Sequence, residues 1–264
     1  MKKLIILLFT IFLSVGSLSA QSTDVKKLEQ QASQGDALAQ YKLGVMYYNG
    51  EGVPQDYVQA MKWFRLAASA QSTDVKKLQQ QTSQDDAEAQ YNLGVMYANG
   101  LGVPRDYVQA MKWFRLAADQ GDASAQYNLG VMYAKGEGIP QDYVQAMKWY
   151  RLAAEQGFAQ AQYNLGGIYD KGQGVPQDYA QAMKWFRLAA DQGDASAQYN
   201  LGVMYAKGEG IPQDYVQAHM WFNLAAAQGY ENGKEGRELV AGKMSPQQIE
   251  RAQKLARNWK PKKQ

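Results

Sequence analysis

The chain has 264 residues, and its 28 lysines and arginines nearly balance its 25 aspartates and glutamates, for a formal net charge of +3. That balance gives no electrostatic case for nucleic acid as a partner. Cysteine is absent and the only histidine is His219, which excludes disulfides, lipid attachment through a cysteine and a histidine-based metal site.

Residues 1–20 read as a signal peptide. Lys2 and Lys3 give a charged start, residues 4–13 are almost wholly apolar, and Ser17, Leu18, Ser19 and Ala20 offer small-residue cleavage chemistry. The apolar run is too short for a spanning helix, which needs roughly 20 residues. Cleavage is expected after Ala20, giving a periplasmic or secreted bacterial protein with no stable membrane anchor. Losing Lys2 and Lys3 takes the net charge to about +1.

Beyond the leader the chain repeats itself. Tyr41, Tyr91, Tyr127, Tyr163 and Tyr199 open near-identical segments separated by 50, 36, 36 and 36 residues. A fixed period in this range means stacked units, each unable to bury its apolar face alone. The expected organisation is an N-terminal capping helix over 21–36, repeat one over 37–70 and an inserted helix over 71–86. Repeats two to five follow at 87–122, 123–158, 159–194 and 195–230, then capping helices at 231–259 and a basic tail at 260–264.

The third copy shows what one unit requires. Asp122 can cap a first helix running from Ala123 to about Ala134, a Gly- and Pro-containing loop follows at 135–141, and Asp142 caps a second helix from Tyr143 to about Gln156. Gly157 suits a left-handed stop. Gly130 lies inside the first helix, where glycine costs about 1 kcal/mol relative to alanine. The same cost recurs at Gly44, Gly94, Gly166 and Gly202, so close helix approach is expected there. Leu129, Tyr133, Tyr143, Trp149 and Tyr150, with Ala146 and Ala153, are the expected core.

The recurring pattern A-x-A-Q-Y-x-L-G-x-M-Y-x-x-G-x-G-V-P-x-D-Y-x-x-A-x-x-W-x-x-x-A-A-x-Q-G resembles the Sel1-like repeat, over about 37–70 and 87–230. The resemblance implies an all-α fold: a right-handed superhelical solenoid of antiparallel, tetratricopeptide-like helix pairs, closed by a C-terminal capping helix pair and serving as a protein-interaction scaffold or adaptor. Some members of that family are cysteine-rich and linked to penicillin binding or hydrolysis, and this chain lacks their cysteines. Leu239, Ile249, Leu255 and Trp259 are expected to cover the last repeat.

Two irregularities stand out. Residues 21–68 and 71–118 differ at only eight positions, so a whole block has been duplicated. The extra stretch is expected to form a separate short helix, with Val75, Leu78 and Thr82 on one face, that interrupts normal stacking. Residues 109–146 and 181–218 are identical, which favours an extended repetitive binding surface over a unique catalytic centre.

On the first helices, Asn128, Val131, Met132 and Lys135 fall at i, i+3, i+4 and i+7, away from Leu129 and Tyr133. Equivalent positions are Asn92, Val95, Asn164, Lys171, Asn200, Val203 and Lys207. The resemblance implies that first helices line the concave side, which makes this stripe a groove for a partner protein or extended peptide, since asparagine both donates and accepts. The alternative, with asparagine as soluble filler and Val or Met packing the next repeat, stays open. The second helices carry Lys112 and Arg115, Lys148 and Arg151, and Lys184 and Arg187. Aligned, they would form a basic ridge for an anionic envelope polymer such as peptidoglycan, or for phospholipid. Asp119, Glu155 and Asp191, four residues after the arginines, would answer part of that charge.

No catalytic constellation is present. The G-x-G segments lead into a proline turn instead of following a strand, the recurrent aspartates sit at helix caps, and the serines lack a nucleophile-elbow or Ser-x-x-Lys setting. The expectation is a monomeric scaffold, not an enzyme, without cofactor or metal. A β-lactam or cell-wall hydrolase is the alternative implied by family analogy.

Overall fold

The computed structural model describes residues 25–69 and 82–262. Among them are thirteen helices and no strand. The helices are α1 (25–33), α2 (Ala37–Asn49), α3 (Tyr57–Ser69), α4 (Thr82–Asn99), α5 (Tyr107–Asp119), α6 (Ala123–Lys135), α7 (Tyr143–Glu155), α8 (Ala159–Lys171), α9 (Tyr179–Asp191), α10 (Ala195–Lys207), α11 (Tyr215–Ala227), α12 (Glu231–Ala241) and α13 (Pro246–Asn258). The chain divides after Ala125 into two compact units. In the first, α2 packs on α3 and α4 on α5; in the second, α8 packs on α9 and α10 on α11. This is the all-α, paired-helix architecture that the repeat pattern implies.

Each hairpin is built the same way. In the third repeat the Asp142 Oδ1 accepts from the Val144 and Gln145 amides at 2.9 and 3.0 Å, a cap worth about 1 kcal/mol. The Asp142 amide donates to the Tyr133 carbonyl at 2.9 Å, so the capping residue also ties the loop to the first helix. Gly136 takes a left-handed φ of 74°, which glycine alone adopts at no steric cost. At its far end α7 stops with the Phe158 amide on the Ala153 carbonyl and Gly157 at φ 89°, as the expected left-handed stop requires.

The helical glycines are explained by rings. A Cβ placed on Gly130 would lie 2.5 Å from Cδ1 of Tyr150, and one on Gly202 2.5 Å from Cδ1 of Phe222. Gly44, Gly94 and Gly166 meet Phe64, Phe114 and Phe186 in the same way. In every repeat the second helix lays an aromatic ring on the bare backbone of the first. The tyrosine three residues before the glycine tilts against that ring, with centroids 5.6–5.9 Å apart, within the favourable range for aromatic pairs.

Between repeats the key residue is one that hydropathy ranks as surface. Gln162 and Gln198 are 1% and 0% exposed. The Gln162 Nε2 donates to the Ala154 carbonyl of the preceding repeat at 3.0 Å, and its Oε1 accepts from Gln192 of its own repeat at 2.8 Å. Gln198 does the same with the Ala190 carbonyl and Gln228. A buried amide satisfied on both sides fixes register across a core of alanine and leucine. In the first unit Gln40 donates to Ala32 at 2.9 Å, but its Oε1 has no partner among the described residues. In the sequence, Ala70 takes the position that Gln120 holds in the next repeat, and it lies outside the described residues.

The inserted stretch, the closing helices and the tail differ in how far they follow the sequence expectations. Of the separate helix expected over 71–86, residues 71–81 lie outside the described residues, and residues 82–86 form the start of α4, which has 18 residues against the 13 of α2 and α5. Asp85 stands where the first and third repeats are preceded by the left-handed Gly35 and Gly121, so no glycine stop separates 82–86 from the rest of α4. In α12, Leu239 is 68% exposed and Val240 is buried at 2%, so the inward face lies one residue further on. Leu255 and Trp259 do pack on the last core, with the Trp259 ring 6.3 Å from Trp221. The tail is tied down as far as Lys262, whose amide and Nζ reach the Asp191 carbonyl and carboxylate at 2.7 Å each. The α9 C-terminus, the negative end of its helix dipole, is a natural dock for a cation. His219 is 3% exposed in α11, a packing residue where the sister repeats have methionine.

Candidate functional site: a groove on the first helices

In the second unit a groove of about 490 Å³ runs over α6, α8 and α10. Its lining includes Val131 and Lys135 from α6, Asn164 and Lys171 from α8, and Asn200 from α10. These are five of the residues expected from spacing to form a partner stripe, and the fold brings them to one surface. A smaller hollow of about 170 Å³ is lined by Val203 and Lys207, with Asn200 shared. Asn92 and Val95 are half-buried on α4 in the first unit.

Met132 does not belong to this surface. It is 3% exposed, because a residue one position on from Val131 has turned roughly 100° around the helix toward the core. The asparagines have a double role. Asn164 hydrogen-bonds the Tyr150 hydroxyl, and Asn200 that of Tyr163, so each links its repeat to the one before. Burial is the main cause that pushes both phenols above their ordinary range, and these hydrogen bonds oppose it.

Residues that the spacing argument passed over also line the groove. They are Tyr127, Tyr143 and Tyr163, with Gly167, Asp170 and Gln173 from the fourth repeat. The signal was present: Gly167 and Asp170 stand where the third and fifth repeats have valine and alanine.

The basic ridge is weaker than its sequence suggests. Lys112, Arg115, Lys148, Lys184 and Arg151 are exposed, and Arg187 is half-buried. Arg151 Nη2 donates to the Tyr169 hydroxyl and Arg187 Nη2 to that of Tyr205, each at 2.6 Å. In the first unit Arg65 reaches Tyr97. Arg187 also lies over the Trp221 ring at 4.9 Å. These arginines therefore clamp successive repeats, and the acid expected to answer Arg187, Asp191, faces Lys262 at 2.7 Å.

The comparisons with known proteins agree with this geometry. Residues 37–72, 87–122, 123–158, 159–194 and 195–230 match the Sel1 repeat. A Sel1 repeat protein from Oxalobacter formigenes is 32% identical, aligns over 82% of this chain and 84% of its own, and superposes with a TM-score of 0.69. A Sel1 repeat protein from Klebsiella pneumoniae subsp. pneumoniae is 25% identical over 82% of this chain and 99% of its own, with a TM-score of 0.46. The secretory immunoglobulin A-binding protein EsiB of Escherichia coli O6:H1 is 39% identical over 69 residues, which are 25% of this chain and 14% of that protein. Ring-on-glycine hairpins and five matched repeats lead to one conclusion: the chain belongs to the Sel1 repeat family.

Proposed function

We propose that this chain is an exported, non-enzymatic scaffold that binds a partner protein, as an extended peptide segment, along its first-helix groove. Sel1 repeat proteins mediate protein–protein interactions. The observation that carries the reading here is the convergence of Val131, Lys135, Asn164, Lys171 and Asn200 on one groove of about 490 Å³. Apolar floor, amide rungs and a lysine margin recur at the repeat period, which suits a ligand that is itself periodic and extended. Export rests on the sequence of residues 1–20.

A photoreactive residue at Val131, exposed to bacterial envelope extract, tests this, with Lys148 as the control because it is exposed outside the groove. The expected result is one discrete protein cross-linked from position 131 and not from 148, lost when Asn164 and Asn200 are both changed to Glu. Capture only from position 148, or of polymer alone, would refute the reading and favour the basic ridge.

A further inference from the structure

Repeat four departs from its neighbours inside the groove. Its first helix and loop read AQYNLGGIYDKGQG, where repeats three and five both read AQYNLGVMYAKGEG. The differences are Gly167 for valine, Ile168 for methionine, Asp170 for alanine and Gln173 for glutamate, and all four line the groove.

Gly167 is not demanded by packing. A Cβ there would meet nothing within 4 Å, whereas one on the preceding Gly166 would collide with Phe186. An unforced glycine in mid-helix costs about 1 kcal/mol, and what it leaves is open space where the sister repeats hold valine. Asp170 lies three residues on, on the same side of the helix. Burial, and next Glu209, hold its carboxyl above the usual carboxylate range, against Lys171 and Lys207. No hydrogen bond reaches that carboxylate among the described residues. Lys207 already faces Glu209 at 3.3 Å, and Lys135 faces Glu137 at 3.8 Å. The outer lysines thus bring their own counter-charges, and Asp170 is left partly desolvated beside a vacated position. Tyr143 and Tyr163 supply ring surface nearby.

We propose that Gly167 and Asp170 form a specificity pocket in this groove, taking the lysine or arginine side chain of an extended peptide. The aliphatic stem fills the space left by the missing valine and runs along tyrosine rings, and the charged head pairs with Asp170. This inference rests on the groove reading above and adds the chemistry of one residue in the partner.

A positional-scanning library of decapeptides, screened against the full chain, separates the two claims. The expected result is selection of Lys or Arg at one position by the wild type. Asp170→Asn should abolish that selection and weaken the best basic peptide about tenfold, the scale of losing one partly screened charge pair. Gly167→Val, which restores the neighbours' residue, should block the same peptide by filling the pocket; circular dichroism checks that both variants fold. Peptides bound without basic preference, or a basic preference unchanged in both variants, would overturn the pocket and leave the groove standing. If no peptide binds and glycan strands bind instead, both fall.

Discussion

Gly166 and Gly167 are consecutive residues of α8, and replacing each by alanine should change stability in opposite directions. Helix propensity favours alanine by about 1 kcal/mol at both positions. At Gly167 nothing opposes the gain, since the new methyl meets no atom within 4 Å. At Gly166 the methyl would stand 2.7 Å from Cδ1, 2.8 Å from Cε1 and 3.1 Å from Cγ of Phe186. That ring is 1% exposed and backed by Tyr163 at 5.8 Å, and the close approach includes Cγ, so the ring cannot swing its far edge clear. Such overpacking costs about 1–3 kcal/mol. Gly166→Ala should therefore lose about 1 kcal/mol net and lower Tm by roughly 2–4 °C, while Gly167→Ala raises it by a similar amount. Thermal unfolding of the full chain followed by circular dichroism reads the sign. Hydrogen exchange in α8 and α9 shows whether the change is local, as repeat arrays allow. Equal stabilisation by both substitutions would refute the view that an aromatic ring is what keeps Gly166 a glycine.

Three further outcomes are expected. Gln162→Leu strands the Ala154 carbonyl and the Gln192 amide and should cost about 1–3 kcal/mol in denaturant unfolding, whereas Gln40→Leu, whose Oε1 has no described partner, should cost less. Burial, and then Arg237, hold the imidazole of His219 below its ordinary pKa, so the unfolded chain binds its proton more readily. Stability should then fall as pH drops below about 6.5, and His219→Met should flatten that slope. Asp122, Asp170 and Asp194 are shifted upward, mainly by burial, and act with the opposite sign as pH falls, so the difference between wild type and His219→Met at each pH isolates the histidine. Finally, Tyr205→Phe removes the hydroxyl that Arg187 donates to at 2.6 Å and should lower stability by about 1 kcal/mol, with faster exchange at the α9–α10 contact.

Much of the site was legible because spacing alone assigns faces on a helix. Val131, Lys135, Asn164, Lys171 and Asn200 were placed on one stripe by the i, i+3, i+7 rule, and the groove contains them. Met132 was misplaced because it lies at the edge of that stripe, where about 100° of rotation decides between groove and core. The buried glutamines escaped notice for another reason. Polarity says surface, and only the paired carbonyl and amide, supplied by two other helices, make burial affordable.

By itself the sequence determined the repeat length, the helix–loop–helix unit, the aspartate caps and the small-residue demand at Gly130 and its equivalents. All of these follow from local backbone chemistry repeated at a fixed period. Tertiary structure alone decided what meets across helices: the ring above each of the five helical glycines, the phenols that receive Arg65, Arg151 and Arg187, and the glutamine shared between repeats. It also decided that Asp170 and the space beside Gly167 open onto the same groove. Those choices depend on contacts between residues far apart in the chain, and the helical period gives the direction of a side chain without naming what it will touch.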